Sequence, residues 1–175
     1  MTDLDRAIDL VRNARNLCIL TGAGLSTASG IPDFRGPDGV WTKDPEAEKL
    51  SDIMHFRTSP AMRVKHWANP GYRAMAAATP NAGHEAIHAL HPSLLVTQNV
   101  DGLHLKAGDH ALEMHGNIRT THCLGDAHVF STNEVLALID SGSLGPDPAC
   151  TYCDEPLKRD IVFFGEDLPY DMFSR

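Results

Sequence analysis

A short apolar run, Leu17-Cys18-Ile19-Leu20, that ends at Gly22-Ala23-Gly24 constrains the fold of this chain more than any other feature. Such a run reads as a buried parallel strand that breaks into a ligand-binding turn. Glycines at that break let the backbone come close to a bound group and take angles that side chains forbid. The dinucleotide pattern G-x-G-x-x-G is not completed, because Thr27 stands at its third glycine position. By itself, the Gly-Ala-Gly turn is equally compatible with a tight structural turn.

The loop that follows is more specific. Ser26, Thr27 and Ser29 supply hydroxyls, Gly30 a flexible point, and Ile31-Pro32-Asp33-Phe34-Arg35-Gly36 crowds an aromatic, an acid and a base together. A solvated connector has little use for Ile31 and Phe34, whereas a loop closing over a ligand does. Arg35 suits a phosphate pair, since a guanidinium forks to two oxygens.

Further along, Thr2-x-x-Asp5 reads as a cap for a helix to about Ala14, with Leu4, Ile8 and Val11 on the face that covers the first strand. Prolines 37, 45, 60 and 70 break the next stretch into short helices of a lid-like excursion, anchored by Trp41 and Trp67. Ser59-Pro60 and Thr79-Pro80 each read as an N-cap followed by proline at the first helical position, the second opening a helix over 84–90. A second strand, Leu94–Thr97, runs into the polar cluster Gln98-Asn99-Val100-Asp101-Gly102-Leu103-His104, and a third, Ala111–Met114, ends at His115-Gly116. Strands that end in polar, glycine-containing turns, joined by helices, predict an α/β doubly wound parallel sheet with its ligand edge at the strands' carboxyl ends. Residues 117–158 read as a small metal-stapled insertion, with a Ser131-x-x-Glu134 capping box on its helix, inside a larger domain made of 1–116 and 159–175. The chain is expected to return to the main sheet with Ile161–Glu166.

A length of 175 residues holds one domain with a small insertion, and a net charge of −8 argues against direct nucleic-acid binding. That acidity is read as solubility. No apolar run reaches a membrane span and Met1-Thr2-Asp3 is no basic signal, so a cytoplasmic protein in a reducing compartment is expected. The four cysteines, 18, 123, 150 and 153, then read as a metal site plus one core residue, Cys18, rather than as disulfides.

The string GAGLSTASGIPDFRG closely resembles the signature of the sirtuin family of NAD-dependent protein deacylases, in its bacterial type. TQNVDGLH from Thr97, HG from His115, CTYC from Cys150 and FFGEDLP from Phe163 extend the resemblance in order from about Leu17 to Pro169. The resemblance implies a Rossmann-like sheet with a zinc module. It places Gly22, Ala23, Gly24 and Arg35 at the NAD phosphates, Gln98 at the nicotinamide ribose, and Ile31, Phe34, Asn99 and Asp101 in the nicotinamide pocket. It makes His115 the general base, with Asn99 and Asp101 beside it in the catalytic set, and gives Val162, Phe163 and Gly165 to the acyl-lysine substrate. In the implied reaction the acyl oxygen attacks the ribose carbon that bears nicotinamide, and nicotinamide leaves. His115 then takes a proton from a ribose hydroxyl, which attacks the acyl carbon; imidazole titrates near neutrality and suits that task. NAD is thus a cosubstrate, the partner is an acyl-lysine protein or peptide, and the products are nicotinamide and O-acyl-ADP-ribose.

Zinc is the expected structural metal, with Cys123, Cys150 and Cys153 as ligands. Asp126 stands where the fourth cysteine of a paired C-x-x-C site is expected, and His122 and His128 are the alternative fourth donors. Family members that favour acidic acyl groups carry a Tyr and an Arg at places that fall here on Ala68 and Gly71, so an uncharged acyl group such as acetyl is expected, although Tyr72 and Arg73 lie nearby. Family members also continue past the Phe-Gly-Glu segment with strands for the adenosine half of NAD, so the sheet is expected to be incomplete at its carboxyl-terminal side. Two alternatives stand beside deacylation: mono-ADP-ribosyl transfer on the same site, and a non-catalytic fragment that only binds.

Overall fold

The computed structural model describes residues 1–126 and 128–169. Helix α1 (Asp3–Arg12) begins as expected: Thr2 Oγ1 accepts the Asp5 N–H and the Asp5 carboxylate accepts the Thr2 N–H in return. It leads into β1 (Cys18–Thr21), then a 3₁₀ segment, Ala23–Ser29, that starts on Gly22. The excursion is made of α2 (Val40–Lys43), a 3₁₀ turn at Pro45–Ser51, α3 (Ile53–Thr58), α4 (Pro60–Ala68) and α5 (Pro70–Ala77). Next come α6 (Ala82–Leu90), β2 (Leu94–Thr97), α7 (Leu103–Lys106) and β3 (Leu112–Glu113). β4 (Gly116–Cys123), β5 (Val129–Ser131), α8 (Thr132–Asp140) and β6 (Leu157–Ile161) are the last of the described elements.

Two sheets result. The first is parallel with order β1-β2-β3, Cys18 facing Leu94 and Val96 facing Leu112. The second is antiparallel with order β5-β4-β6. The expected return of the chain to the main sheet does not occur within the described residues: Leu157–Ile161 pairs with β4 instead.

The buried apolar residues gather between the lid and the small sheet. Trp67, Cys123, Val135, Cys150 and Leu157 form one cluster, and Ile53, Phe56 and Phe163 a second. Trp67 is the anchor expected of it, its indole N–H donating to the Leu157 carbonyl at 3.1 Å. Arg63 adds a bidentate pair to Asp147, both contacts at 2.8 Å. These contacts fix the lid to the small module, and Lys106 of α7 adds a tie to the end of α5 through the Ala76 and Ala78 carbonyls.

Several local expectations are corrected. Helix α1 buries no residue, and Leu4, Ile8 and Val11 stay exposed rather than covering β1. No described element buries the face of β1 that carries Cys18 and Leu20, so both are exposed too, and Cys18 is not a core residue. Asn81, not Thr79, caps α6, its side chain accepting the Gly83 N–H. Ser131 makes no side-chain cap for α8; it is paired in β5 against Thr120.

Gly116 is the hinge on which β4 leaves the parallel sheet. Its φ is +72°, and a Cβ there would collide with the Asp160 carbonyl oxygen on β6. Gly116→Ala is expected to destabilise the fold by at least about 2 kcal/mol, from left-handed strain and overlap together. Thermal melting should show this as a loss of about 4–8 °C.

Candidate active site and metal centre

The carboxyl ends of β1 and β2 are tied into one network of hydrogen bonds. The Gln98 N–H donates to the Thr21 carbonyl at 3.0 Å, which carries the parallel ladder to the point where both strands break. Asn99 then reaches across, its amide donating to the Gly22 carbonyl and to Ser26 Oγ, each at 3.1 Å. Ser26 donates in turn to Asp101 Oδ2 at 2.7 Å, and Asp101 Oδ1 accepts the Leu103 N–H that opens α7. Ser26, Asn99 and Asp101 are all buried. With both amide hydrogens engaged, Asn99 has its carbonyl oxygen left to meet a ligand. Asp101 spends an oxygen on each side of the turn, which fixes the turn's shape.

Beneath this layer, Thr21 donates to Thr97 Oγ1 at 2.8 Å and receives His104 Nε2 at 3.0 Å, while Thr97 Oγ1 also accepts the Asn99 N–H. The His104 ring meets the buried His84 ring at 4.9 Å, and burial pushes both imidazoles below their ordinary pKa. The sequence did not single out Ser26, Thr21, Thr97 or this histidine pair as site residues. The partners that Ser26, Thr21 and Thr97 meet across the site lie some 75 positions away along the chain, so only the fold joins them.

His115 stands at the end of β3. Its Nδ1 lies 3.0 Å from the Gln98 carbonyl oxygen, which can only accept, so Nδ1 carries the proton and Nε2 presents a lone pair. The His115 carbonyl accepts the Val162 N–H at 2.9 Å, which ties the expected base to the expected substrate segment. Phe163 turns its side chain into the core against Phe56, whereas Phe164 stays outside, 5.6 Å from Trp41.

Gly22, Ala23, Gly24, Gln98, Asn99, Asp101, His115 and Val162 are thus brought to one edge. A Cβ at Gly24 would meet nothing within 4 Å, so the turn is open to the close approach of a bound group. The loop carrying Ile31, Phe34 and Arg35 is organised differently. Phe34 packs on Trp41 at 4.6 Å and the Arg35 guanidinium lies 4.7 Å over the same ring. Among the described residues, no hydrogen bond or ring contact joins Phe34 or Arg35 to Asn99, Asp101 or His115.

The metal-binding expectation resolves on a different fourth ligand. Cys123, His128, Cys150 and Cys153 bring one donor atom each to within 4.8 Å of one another. The distance from His128 Nδ1 to Cys123 Sγ and to Cys150 Sγ is 3.5 Å, and Cys123 Sγ lies 3.6 Å from Cys153 Sγ. A tetrahedral zinc with Zn–S of about 2.3 Å and Zn–N of about 2.0 Å sets its donors roughly 3.5–3.8 Å apart, so the four residues fit that ion. Asp126 is exposed and stands outside the group. The reason is hairpin geometry: the Cys123 N–H donates to the His128 carbonyl at 3.0 Å, which sets those two residues opposite each other and leaves Asp126 in the turn between them. All four cysteines are free of disulfides.

No described helix is long and apolar enough to cross a membrane. The family model described as Sir2 family matches residues 22–175. NAD-dependent protein deacetylase 2 of Streptomyces coelicolor is 44% identical over 159 residues, covering 87% of this chain and 65% of the relative. The NAD-dependent protein deacetylase of Thermotoga maritima is 36% identical over 169 residues, covering 94% of this chain and 66% of the relative. The chain therefore spans about two thirds of the length of these curated relatives. Among solved structures, a Sir2 with a deacetylated p53 peptide and 3′-O-acetyl ADP-ribose superposes with a TM-score of 0.85 at 33% identity, covering 99% of this chain and 70% of that one. Sir2Tm bound to a propionylated peptide gives 0.83 at 31%, covering 99% and 69%. With the family model matched over most of its length and relatives this similar, the chain belongs to the Sir2 family.

Proposed function

We propose that this chain carries the site of an NAD-dependent protein-lysine deacylase with an uncharged acyl group, acetyl first, as substrate. One observation carries the reading: His115, its Nδ1–H held by the Gln98 carbonyl, offers Nε2 as a base beside Val162, whose N–H is tied to the His115 carbonyl. NAD, when bound, supplies an electrophilic ribose carbon and a leaving group. Gly22, Ala23 and Gly24 give its phosphates a backbone turn, with Arg35 as the cation that moves to them from Trp41. Gln98 takes the ribose, and Asn99, fixed by Ser26 and Gly22, offers its amide oxygen to the nicotinamide, with Ile31 and Phe34 closing the pocket. Asp101 holds that arrangement in place. The Val162 main chain holds the acyl-lysine amide, and His115 Nε2 takes the proton from the ribose hydroxyl that attacks the acyl carbon.

The acyl preference follows from where two side chains go. The Tyr72 hydroxyl points to His66, burial pushing its pKa up to about 12, and Arg73 pairs with Asp140 on the surface at 2.7 Å. The Tyr72 hydroxyl is thus turned to another protein group, and Arg73 is engaged by a carboxylate of the protein itself. Zinc would be held by Cys123, His128, Cys150 and Cys153, four protein donors that suit a structural role. Free cysteines gathered in a metal cluster suit a cytoplasmic, reducing setting.

The test is release of nicotinamide from NAD with and without an acetyl-lysine peptide. Peptide-dependent release with loss of the acetyl group is the expected result. Transfer of ADP-ribose to protein without peptide would favour the transferase reading instead. A folded chain that releases nothing would leave only binding.

A further inference from the structure

We infer that Lys158 and Glu166 are positioning residues, an ion pair that presents the Val162 carbonyl to the substrate. The inference rests on the deacylase reading. Lys158 is 1% exposed, although it carries a charge that burial disfavours, and burial does lower its pKa. An ammonium has three donors, and here all three are used inside one short segment: the Arg159 carbonyl, the Ile161 carbonyl and Glu166 Oε2, the last at 2.8 Å. The charge also sits 4.3 Å over the Phe163 ring.

Glu166 Oε2 in turn accepts the Phe163 N–H at 2.7 Å, and the Glu166 N–H donates back to the Phe163 carbonyl at 3.0 Å. Gly165, at φ +86°, makes that return possible. Lys158 and Glu166 therefore close a ring around residues 158–166, with Val162 at its far point. On the outside, the segment is held by the Val162 N–H to His115, the Phe164 N–H to Ser51 and the Ile53 N–H to the Phe164 carbonyl.

Of the carbonyls of Ile161, Val162, Phe163 and Phe164, only that of Val162 meets no donor among the described residues. A segment in which every neighbouring carbonyl is occupied can hold one free acceptor in a fixed direction next to His115. Burying this ammonium carries a cost that an apolar side chain of similar size would avoid, and its donors are all spent on the turn that carries Val162.

Direct binding of a fluorescein-labelled acetyl-lysine peptide, followed by fluorescence polarisation, tests this without requiring turnover. Lys158→Met and Glu166→Gln are each expected to weaken peptide binding about tenfold, the worth of one well-placed hydrogen bond. Lys158→Arg, which keeps charge and donors, should restore binding to within about threefold of the wild type. Glu166→Gln keeps size and an acceptor, so it remains decisive if Lys158→Met does not fold; cooperative melting is the criterion. Wild-type affinity in a folded Glu166→Gln or Lys158→Met chain overturns the positioning role alone. A folded wild-type chain that does not bind the peptide overturns the deacylase reading and this inference with it. Failure of Lys158→Arg to restore binding shows that packing, not the ion pair, sets the carbonyl, and also overturns it.

Discussion

Replacement of His115 by alanine is expected to slow removal of the acetyl group from a lysine peptide by about 10²–10⁴-fold, the usual worth of a positioned general base. Exchange of labelled free nicotinamide into NAD should persist in the same variant. The two readouts separate because the steps differ in what they ask of the protein. Departure of nicotinamide needs the acyl oxygen close to the ribose carbon and calls for no proton transfer to His115. Attack of the ribose hydroxyl on the acyl carbon needs a base, and the lone pair on Nε2 is available for it because Nδ1 keeps its proton against the Gln98 carbonyl. Among the described residues the side chain makes that single protein hydrogen bond, so truncation should cost the fold no more than about 1 kcal/mol. The link to Val162 runs through the His115 main chain and survives the substitution. Deacetylation within about tenfold of the wild type would show that His115 is not the base. Loss of exchange together with deacetylation would show that its ring positions the ligands instead.

The strand ends that build this site were legible because each is set by a few neighbouring residues. Leu94–Thr97 stops where an apolar run meets Gln98 and Asn99, and the capping pair of Thr2 and Asp5 lies within one helical turn. Ser59 before Pro60 worked for the same reason, its hydroxyl accepting the Met62 N–H. What the sequence concealed depends on partners far along the chain. The stripe of Leu4, Ile8 and Val11 correctly marks a helix, but periodicity says nothing about whether a surface exists to receive it. Ile161–Glu166 has the composition of a buried strand, and composition does not say that only Ile161 pairs, with β4, while Phe164 bridges to Asp52 of the lid.

The failed cap at Ser131 was a contest between local and tertiary bonding. Ser131 is spaced for a capping box with Glu134, yet it is already a strand residue opposite Thr120, and the neighbouring Thr132 hydroxyl is committed to Thr121 at 2.8 Å. Arg35 was read as a phosphate ligand from its chemistry and from the family resemblance, and its resting place was not legible. In the structure the nearest π face, that of Trp41, holds it, and the planar guanidinium that suits phosphate also suits an indole. The candidate catalytic residues were legible by type, and their convergence on His115 and Val162 was not, since it rests on hydrogen bonds across three strands.

Removal of zinc is expected to have the largest effect on stability, and it separates the two candidate fourth ligands. The core cluster that joins lid to small module contains Cys123 and Cys150 among its five buried members, with Cys153 packed against it. Without an ion, three sulfurs and an imidazole face one another where only weak contacts replace coordination, and the Cys150–Cys153 turn loses its tie to the β4–β5 hairpin. Structural zinc contributes about 10–16 kcal/mol of apparent binding energy near neutral pH. Even a small part of that, at about 2–4 °C per kcal/mol for a chain of this size, lowers the melting temperature by more than about 10 °C on chelation. The protein should contain one zinc per chain by elemental analysis, and His128→Ala should lose it along with the same share of stability. Asp126→Asn should keep both, because the carboxylate is exposed in the turn and outside the ligand group. Retention of zinc by His128→Ala together with its loss from Asp126→Asn would mean that the hairpin closes on the metal in another register. In that case the pairing of Cys123 with His128, which sets the end of β4 and through it the approach of β6 to His115, would have to be redrawn as well.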